Sequence, residues 1–312
     1  MKTAVSVFAA DRKEVYKLYE LVNLGKKTWF VDCPSRIGIY QISDTDVCLI
    51  DSGNAPDAGK KVLNICKEKG WEVKYIINTH AHADHTGGNA LIQKRTGCRI
   101  LCAGVDLAMV NHPTLNNSYT FGARPPKELC NKFMLAESSD AEELTADSIL
   151  EGLRFESFPG HSFDQSAIIC DDGTCFTGDI LCGRSTIEKY HIFFLRDIEK
   201  YADSARRLAD IDAKVFCASH YEPIYDKSEI VSLAELNIKK LGEITDRINE
   251  ICRDGKCFDE VLRGVLNAYS LELSFNQYAI AGSTVRSILG SLHDEGVLEA
   301  VFEDNFLKWK TV

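Results

Sequence analysis

Three histidines and an aspartate stand within six positions in the run Asn78-Thr79-His80-Ala81-His82-Ala83-Asp84-His85-Thr86-Gly87-Gly88, in a chain with only eight histidines. No other feature constrains the fold as tightly, because residues of this type must be brought to one place by the backbone around them. Residues 71–78 (WEVKYIIN) read as a buried strand, so the cluster lies at a strand's carboxyl end, where α/β folds place their sites. In extended backbone, alternate side chains share a side, so His80 and His82 can hold one cation. As the chain turns into the helix that Gly87 and Gly88 introduce, Asp84 and His85 swing toward a second point nearby. A polar surface turn is the plain alternative, and the order H-x-H-x-D-H argues against it.

The rest of the chain offers matching groups. Apolar runs end in Leu49-Ile50-Asp51, Phe176-Thr177-Gly178-Asp179 and Cys217-Ala218-Ser219-His220, and the strand-like stretch before Pro159-Gly160 leads to His161. His161, Asp179 and His220 therefore read as the missing half of the metal site. Between these motifs short strands alternate with helices, with antiparallel strands at the start and the hairpin signal Asp171-Asp172-Gly173 later. Residues 58–69 form an amphipathic helix closed by Gly70. Residues 112–143 break the rhythm with Pro113, Pro125 and Pro126, and read as a loop-rich insertion or flap.

A net charge of −10 disfavours a surface that coats nucleic acid. The twelve cysteines contain no CxxC pair and several lie in apolar runs, so they read as reduced, buried thiols in a cytoplasmic protein. The apolar run 4–10 is short for a signal peptide and lacks a cleavage context, and nothing reaches transmembrane length.

THAHADH, then PGH, FTGD and a terminal SH, in that order over about residues 15–225, resemble the metallo-β-lactamase fold superfamily. The resemblance implies an αββα sandwich of two mixed sheets, an α/β (α+β) fold, with metals at one edge. Carried over by motif, it implies His80, His82 and His161 on a first metal and Asp84, His85 and His220 on a second, bridged by Asp179. Asp51 matches an acid that orients a ligand histidine from behind. The donor set suits two divalent ions, zinc in first place, with iron and manganese also accommodated. The diiron oxygen-reducing branch carries a glutamate where this chain has His82, and many true β-lactamases have a cysteine at the place of Asp179. The likeness is strongest to glyoxalase II-like hydrolases, so the implied enzyme is a metal-dependent hydrolase of a small acyl substrate, thioester or lactone. The alternatives are a phosphodiesterase or ribonuclease of the same fold and a mononuclear iron sulfur dioxygenase. Asp84 and Asp179 carry the implied chemistry.

Candidate substrate contacts are Arg184, Lys189 and Tyr190 in the segment 181–194, and Tyr221, which either donates to an oxyanion or packs. The division expected is a catalytic domain over residues 1–226 and a smaller helical region over 227–312. In the latter a helix at 283–295 precedes a hairpin turning at Glu303-Asp304-Asn305, a winged-helix pattern. That pattern raises a non-enzymatic alternative, a metal-sensing regulator. Arg286 is the only basic residue of the 283–295 helix, so a nucleic-acid partner is not expected. Packing, pocket-walling or homodimer formation is the expected role.

Overall fold

Neighbouring residues on one strand face different cores, and this sorts the molecule into layers. Leu49, Ile76 and Ile100 point to one core, whereas Cys48, Ile50, Ile77 and Leu101 point to another. Period-two alternation with both faces buried gives the near-continuous apolar runs of the sequence.

The computed structural model describes residues 18–312, so the run at 4–10 lies outside the described residues. The first sheet opens with an antiparallel meander: β1 (Glu20–Asn23), β2 (Thr28–Asp32), β3 (Ile37–Gln41) and β4 (Asp46–Ile50). Helix α1 (Pro56–Lys69), closed by left-handed Gly70 (φ 72°), leads to β5 (Glu72–Ile77), which pairs parallel with β4. Two short helices, α2 (Ala83–Thr86) and α3 (Asn89–Thr96), lead to β6 (Arg99–Cys102), and α4 (Gly104–Asn111) and α5 (Thr114–Phe121) precede β7 (Ala141–Glu143). The sheet runs in sequence order, with β5, β6 and β7 parallel.

The second sheet has β8 (Leu153–Ser157), β9 (Ser166–Cys170) and β10 (Thr174–Gly178). After α6 (Arg184–Tyr190) and α7 (Ile198–Leu208), β11 (Val215–Ala218) joins β10 in parallel. Phe30, Tyr40 and Ile50 meet Ile168, Phe176 and Cys217 between the sheets. Helices α1, α3 and α4 cover the outer face of the first sheet, and α7 with the first half of α8 (Lys227–Ile251) covers the second. The result is the αββα sandwich expected from the motifs. The cysteines are free, and Cys48, Cys170 and Cys217 fill space between the sheets as small apolar groups. Among the described residues no helix is long and apolar enough to cross a membrane.

The remainder is β12 (Lys256–Cys257), α9 (Phe258–Ala268), α10 (Phe275–Asp294), β13 (Leu298–Glu303) and β14 (Phe306–Thr311). The sheet order β12-β14-β13 and the two-residue turn at Asp304 (φ 48°) and Asn305 (φ 63°) build the wing expected from the pattern.

One expectation gains detail and another needs correction. The 112–143 stretch is loop-rich as expected, but it also holds a helix: Pro113 marks the start of α5, Gly122 (φ 87°) closes it, and the far end is strand β7. Prolines there delimit a helix rather than abolish one. The helix expected at 283–295 begins at Phe275 instead, where Ser274 Oγ accepts from Gln277 N at 3.1 Å. Gly282 therefore lies inside the helix, beside the Arg286 guanidinium and the Phe258 ring of α9.

Candidate metal centre

Each candidate ligand follows a strand end or a tight turn, and hydrogen bonds from outside the cluster fix the rings of His80, His85, His161 and His220. Asp51, just past β4, takes the left-handed conformation (φ 62°) and is buried. Its Oδ1 accepts from Thr79 N at 2.8 Å, and its Oδ2 accepts from Thr79 Oγ1 at 2.8 Å and lies 2.8 Å from His85 Nδ1. With Nδ1 engaged there, His85 turns Nε2 inward. The carbonyl of His82 accepts from His85 N and Thr86 N, so one helical turn carries Asp84 and His85 around to face the rest of the cluster. The glycines are needed for close approach: a Cβ on Gly88 would lie 2.4 Å from Ser52 O, and one on Gly178 (φ 52°) 2.6 Å from Thr79 Oγ1.

The side chains gather into two groups, His80 with His82 and His161, and Asp84 with His85, Asp179 and His220. In the first, His82 Nδ1 lies 2.9 Å from both His80 Nε2 and His161 Nε2. The far nitrogens of these rings are occupied: His80 Nδ1 meets Thr79 Oγ1 at 3.1 Å, and His161 Nδ1 donates to Phe194 O at 3.0 Å. In the second group, His220 Nδ1 donates to Pro34 O at 3.1 Å while Nε2 lies 3.1 Å from Asp84 Oδ2 and 3.3 Å from Asp179 Oδ2. His85 Nε2 is buried without a hydrogen bond, 3.3 Å from Asp179 Oδ2. A buried nitrogen left so, facing two carboxylates, fits a metal ligand, and the all-imidazole and carboxylate donors fit a divalent ion.

The charges divide in the same way. Burial, reinforced by neighbouring imidazoles, holds His80 well below its usual value, His82 down to about 3 and His161 low as well. Burial also opposes charge on His85 and His220, yet Asp84 and Asp179 overcome it, pushing His85 well up and His220 to about 9. Burial would raise both acids, but His85 and His220 hold Asp84 down to about 2 and Asp179 lower still than the usual carboxylate range. Three histidines are thus neutral donors and two are imidazoliums paired to acids when no ion is present.

A pH optimum follows for the metal-free protein. Between about 3 and 6.5 the unfolded chain binds protons that His80, His82 and His161 refuse when folded, so stability rises with pH. Between 6.5 and about 9 the folded chain holds protons on His220 and His85 that the unfolded chain has released, so stability falls. Thermal midpoints of the chelator-treated protein are expected to peak near pH 6.5, and a flat profile would contradict this assignment of charge.

Of the candidate substrate contacts, Arg184 opens α6 and is exposed, as is Lys189, whose Nζ lies 4.8 Å from the ring of half-buried Tyr190. Tyr221 packs: it is buried in the core behind the second sheet, against Gly183. Phe194, absent from the sequence reading, sets its ring edge-on to His82 and His161, with centroids 4.9 and 5.6 Å away. Asp106 was also missed. Its buried carboxylate accepts from Ala81 N at 3.0 Å, Ser162 Oγ at 3.0 Å and Asp164 N at 2.7 Å, tying the His80–His82 loop to the His161 loop. Arg36 clamps the His220 side: its N donates to Ser219 O, and its buried guanidinium binds Asp32, Glu222 and the Tyr221 carbonyl.

This sandwich with its metal-ligand edge has a family. The chain belongs to the metallo-beta-lactamase superfamily, whose model matches residues 31–220. Among curated proteins it is similar to the hydroxyacylglutathione hydrolase of Methylococcus capsulatus, 28% identical over 207 residues that span 64% of this chain and 68% of that protein. It is likewise similar to that of Rhodospirillum rubrum, 28% identical over 173 residues spanning 53% of this chain and 56% of that one. Among solved structures, a beta-lactamase domain protein from Burkholderia ambifaria shares the fold with a TM-score of 0.77 at 15% identity, covering 96% of each chain. A metallo-beta-lactamase family protein from Thermus thermophilus does so with a TM-score of 0.68 at 18% identity, covering 94% of this chain and 97% of that one. Family and relatives together make this chain a metal-dependent hydrolase of the glyoxalase II-like kind.

Proposed function

We propose that the protein is a dinuclear metal hydrolase of a small acyl substrate, a thioester in first place and a lactone in second. The observation that carries the reading is the position of one atom. Asp179 Oδ2 lies 3.7 Å from His161 Nε2 in the first group and 3.3 Å from both His85 Nε2 and His220 Nε2 in the second. One oxygen within reach of both groups supports a reading with two cations that Asp179 would share. Zinc, iron or manganese ions bound there would supply a water of lowered pKa and polarise the scissile carbonyl.

The chain's own groups have separate tasks. His80, His82 and His161 would hold the first ion as neutral donors, and Asp84, His85 and His220 would hold the second. Asp84 faces His220 through Oδ2, so its other oxygen would be free to accept the proton of the attacking water and return it to the leaving thiolate. Phe194 packs against His82 and His161 and keeps water from that side of the two rings. The thioester preference rests on the relatives, which are named as hydrolases of hydroxyacylglutathione. A phosphodiester substrate finds less support, since Arg286, the basic residue of the 283–295 segment, lies over the Phe258 ring at 3.8 Å.

Metal analysis combined with a panel of thioesters, lactones, phosphodiesters and cephalosporins tests the reading. About two divalent ions per chain are expected, with turnover of a thioester or lactone that chelation abolishes, added metal restores and Asp84→Ala lacks. A single iron per chain with oxygen consumption on a persulfide, or turnover of phosphodiesters alone, would overturn it.

A further inference from the structure

We propose that α10, the helix that would read DNA in a winged-helix protein, is instead a working part of the metal centre, with Thr284 as its main positioning residue. The inference rests on the reading of His161 as a metal ligand. His161 Nδ1 donates to the carbonyl of Phe194, which fixes the ring and aims Nε2 at His82. Phe194 has no regular secondary structure of its own: it lies between α6 and α7. Something else must hold its carbonyl in place.

That support comes from α10. Thr284 Oγ1 accepts from Leu195 N at 2.9 Å and donates to Phe193 O at 2.6 Å, bracketing Phe194 from both sides. Ser283 Oγ donates to Leu195 O at 3.1 Å, and Ser287 Oγ accepts from Ile198 N at 3.2 Å. Positions 283, 284 and 287 fall on one face of a helix, and here that face is spent on backbone groups about 90 residues earlier. Thr284 is 1% exposed, so its hydroxyl serves only these two partners. At the other end, Arg196 N and Asp197 N both donate to Gly160 O, next to His161. The segment is therefore pinned between the His161 loop and α10.

A hydroxyl that binds a donor and an acceptor on either side of one residue holds that peptide's direction, and packing alone does not. Shared apolar packing is present as well: Ile192, Leu195 and Ile198 lie in the same core as Val285, Ile288 and Leu289. The two contributions are separable by substitution. Thr284→Val keeps the shape and removes the hydroxyl, Thr284→Ser keeps the hydroxyl, and Ile288→Val loosens the same core while leaving the hydrogen bonds to the segment in place.

The test is a zinc titration of the full-length variants against a competing chelator, with thermal midpoints and the kcat and KM of the best substrate measured alongside. His161→Ala serves as the reference for a lost ligand. Thr284→Val is expected to weaken zinc binding about 10-fold or more, and to lower kcat with KM little changed. Thr284→Ser is expected to bind like the parent, and Ile288→Val to lose stability alone. Zinc affinity intact in Thr284→Val, or Thr284→Ser as weak as Thr284→Val, would overturn the proposal. If Thr284→Val fails to fold, the double variant Ser283→Ala with Ser287→Ala removes two of the bonds at half-buried positions. Unchanged zinc affinity there would equally overturn it. Full zinc binding in His161→Ala would instead remove the ligand assignment on which the proposal rests.

Discussion

Asp179→Asn is expected to leave the protein with one tightly held divalent ion in place of two and to lower kcat roughly 100-fold to 1000-fold. The carboxylate has no substitute. Its Oδ2 lies 3.7 Å from His161 Nε2 and 3.3 Å from both His85 Nε2 and His220 Nε2, and its charge, together with that of Asp84, keeps His85 and His220 protonated when no ion is present. Asparagine keeps the size and one acceptor oxygen but gives up the negative charge that offsets repulsion between two cations. The remaining metal should stay with His80, His82 and His161, because those rings are held by Thr79, Phe194 and each other rather than by Asp179. Metal content measured after gel filtration, together with single-turnover rates, checks both parts. Two ions retained at full affinity would show that Asp179 does not bridge.

The candidate ligand residues that the fold gathers were legible in the sequence for a physical reason. Metal chemistry accepts few side-chain types, and a local turn can bring several of them together, so residues 80–85 announce themselves without any knowledge of the fold. His161, Asp179 and His220 were legible because each follows a recognisable strand or turn signal. The residues that hold the ligands in place were not. Asp106, Thr284 and Arg36 are ordinary polar residues in sequence. Their partners lie far along the chain, from Ala81, 25 residues before Asp106, to Tyr221, 185 residues after Arg36. No local pattern distinguishes a threonine that brackets Phe194 from one on a solvated helix face. The same limit explains α10: its start is set by the Ser274 cap, and Gly282 lies in mid-helix, which no local pattern showed.

Asp51 lies between these cases, because its strand-end position marks it in the sequence while its partners appear only in the fold. Asp51→Ala is expected to cost about 3 kcal/mol or more in the metal-free protein and to weaken binding at the Asp84, His85 and His220 group by about 10-fold to 100-fold. The carboxylate serves three groups at once, namely Thr79 N, Thr79 Oγ1 and His85 Nδ1, and alanine leaves all of them buried without it. Thr79 also touches His80 Nδ1, so the disturbance reaches the first ligand group through the same hydroxyl. Asp51→Asn retains one carbonyl oxygen and should fall between the parent and Asp51→Ala in both measurements. Because Asp51 is set apart from the reacting atoms, its loss should lower metal affinity more than it lowers the turnover of protein saturated with metal. Urea denaturation of the chelated protein gives the stability change, and kcat as a function of added metal separates the two effects. If excess metal fails to recover turnover in Asp51→Ala while its affinity is normal, Asp51 acts in the chemistry itself and not through His85.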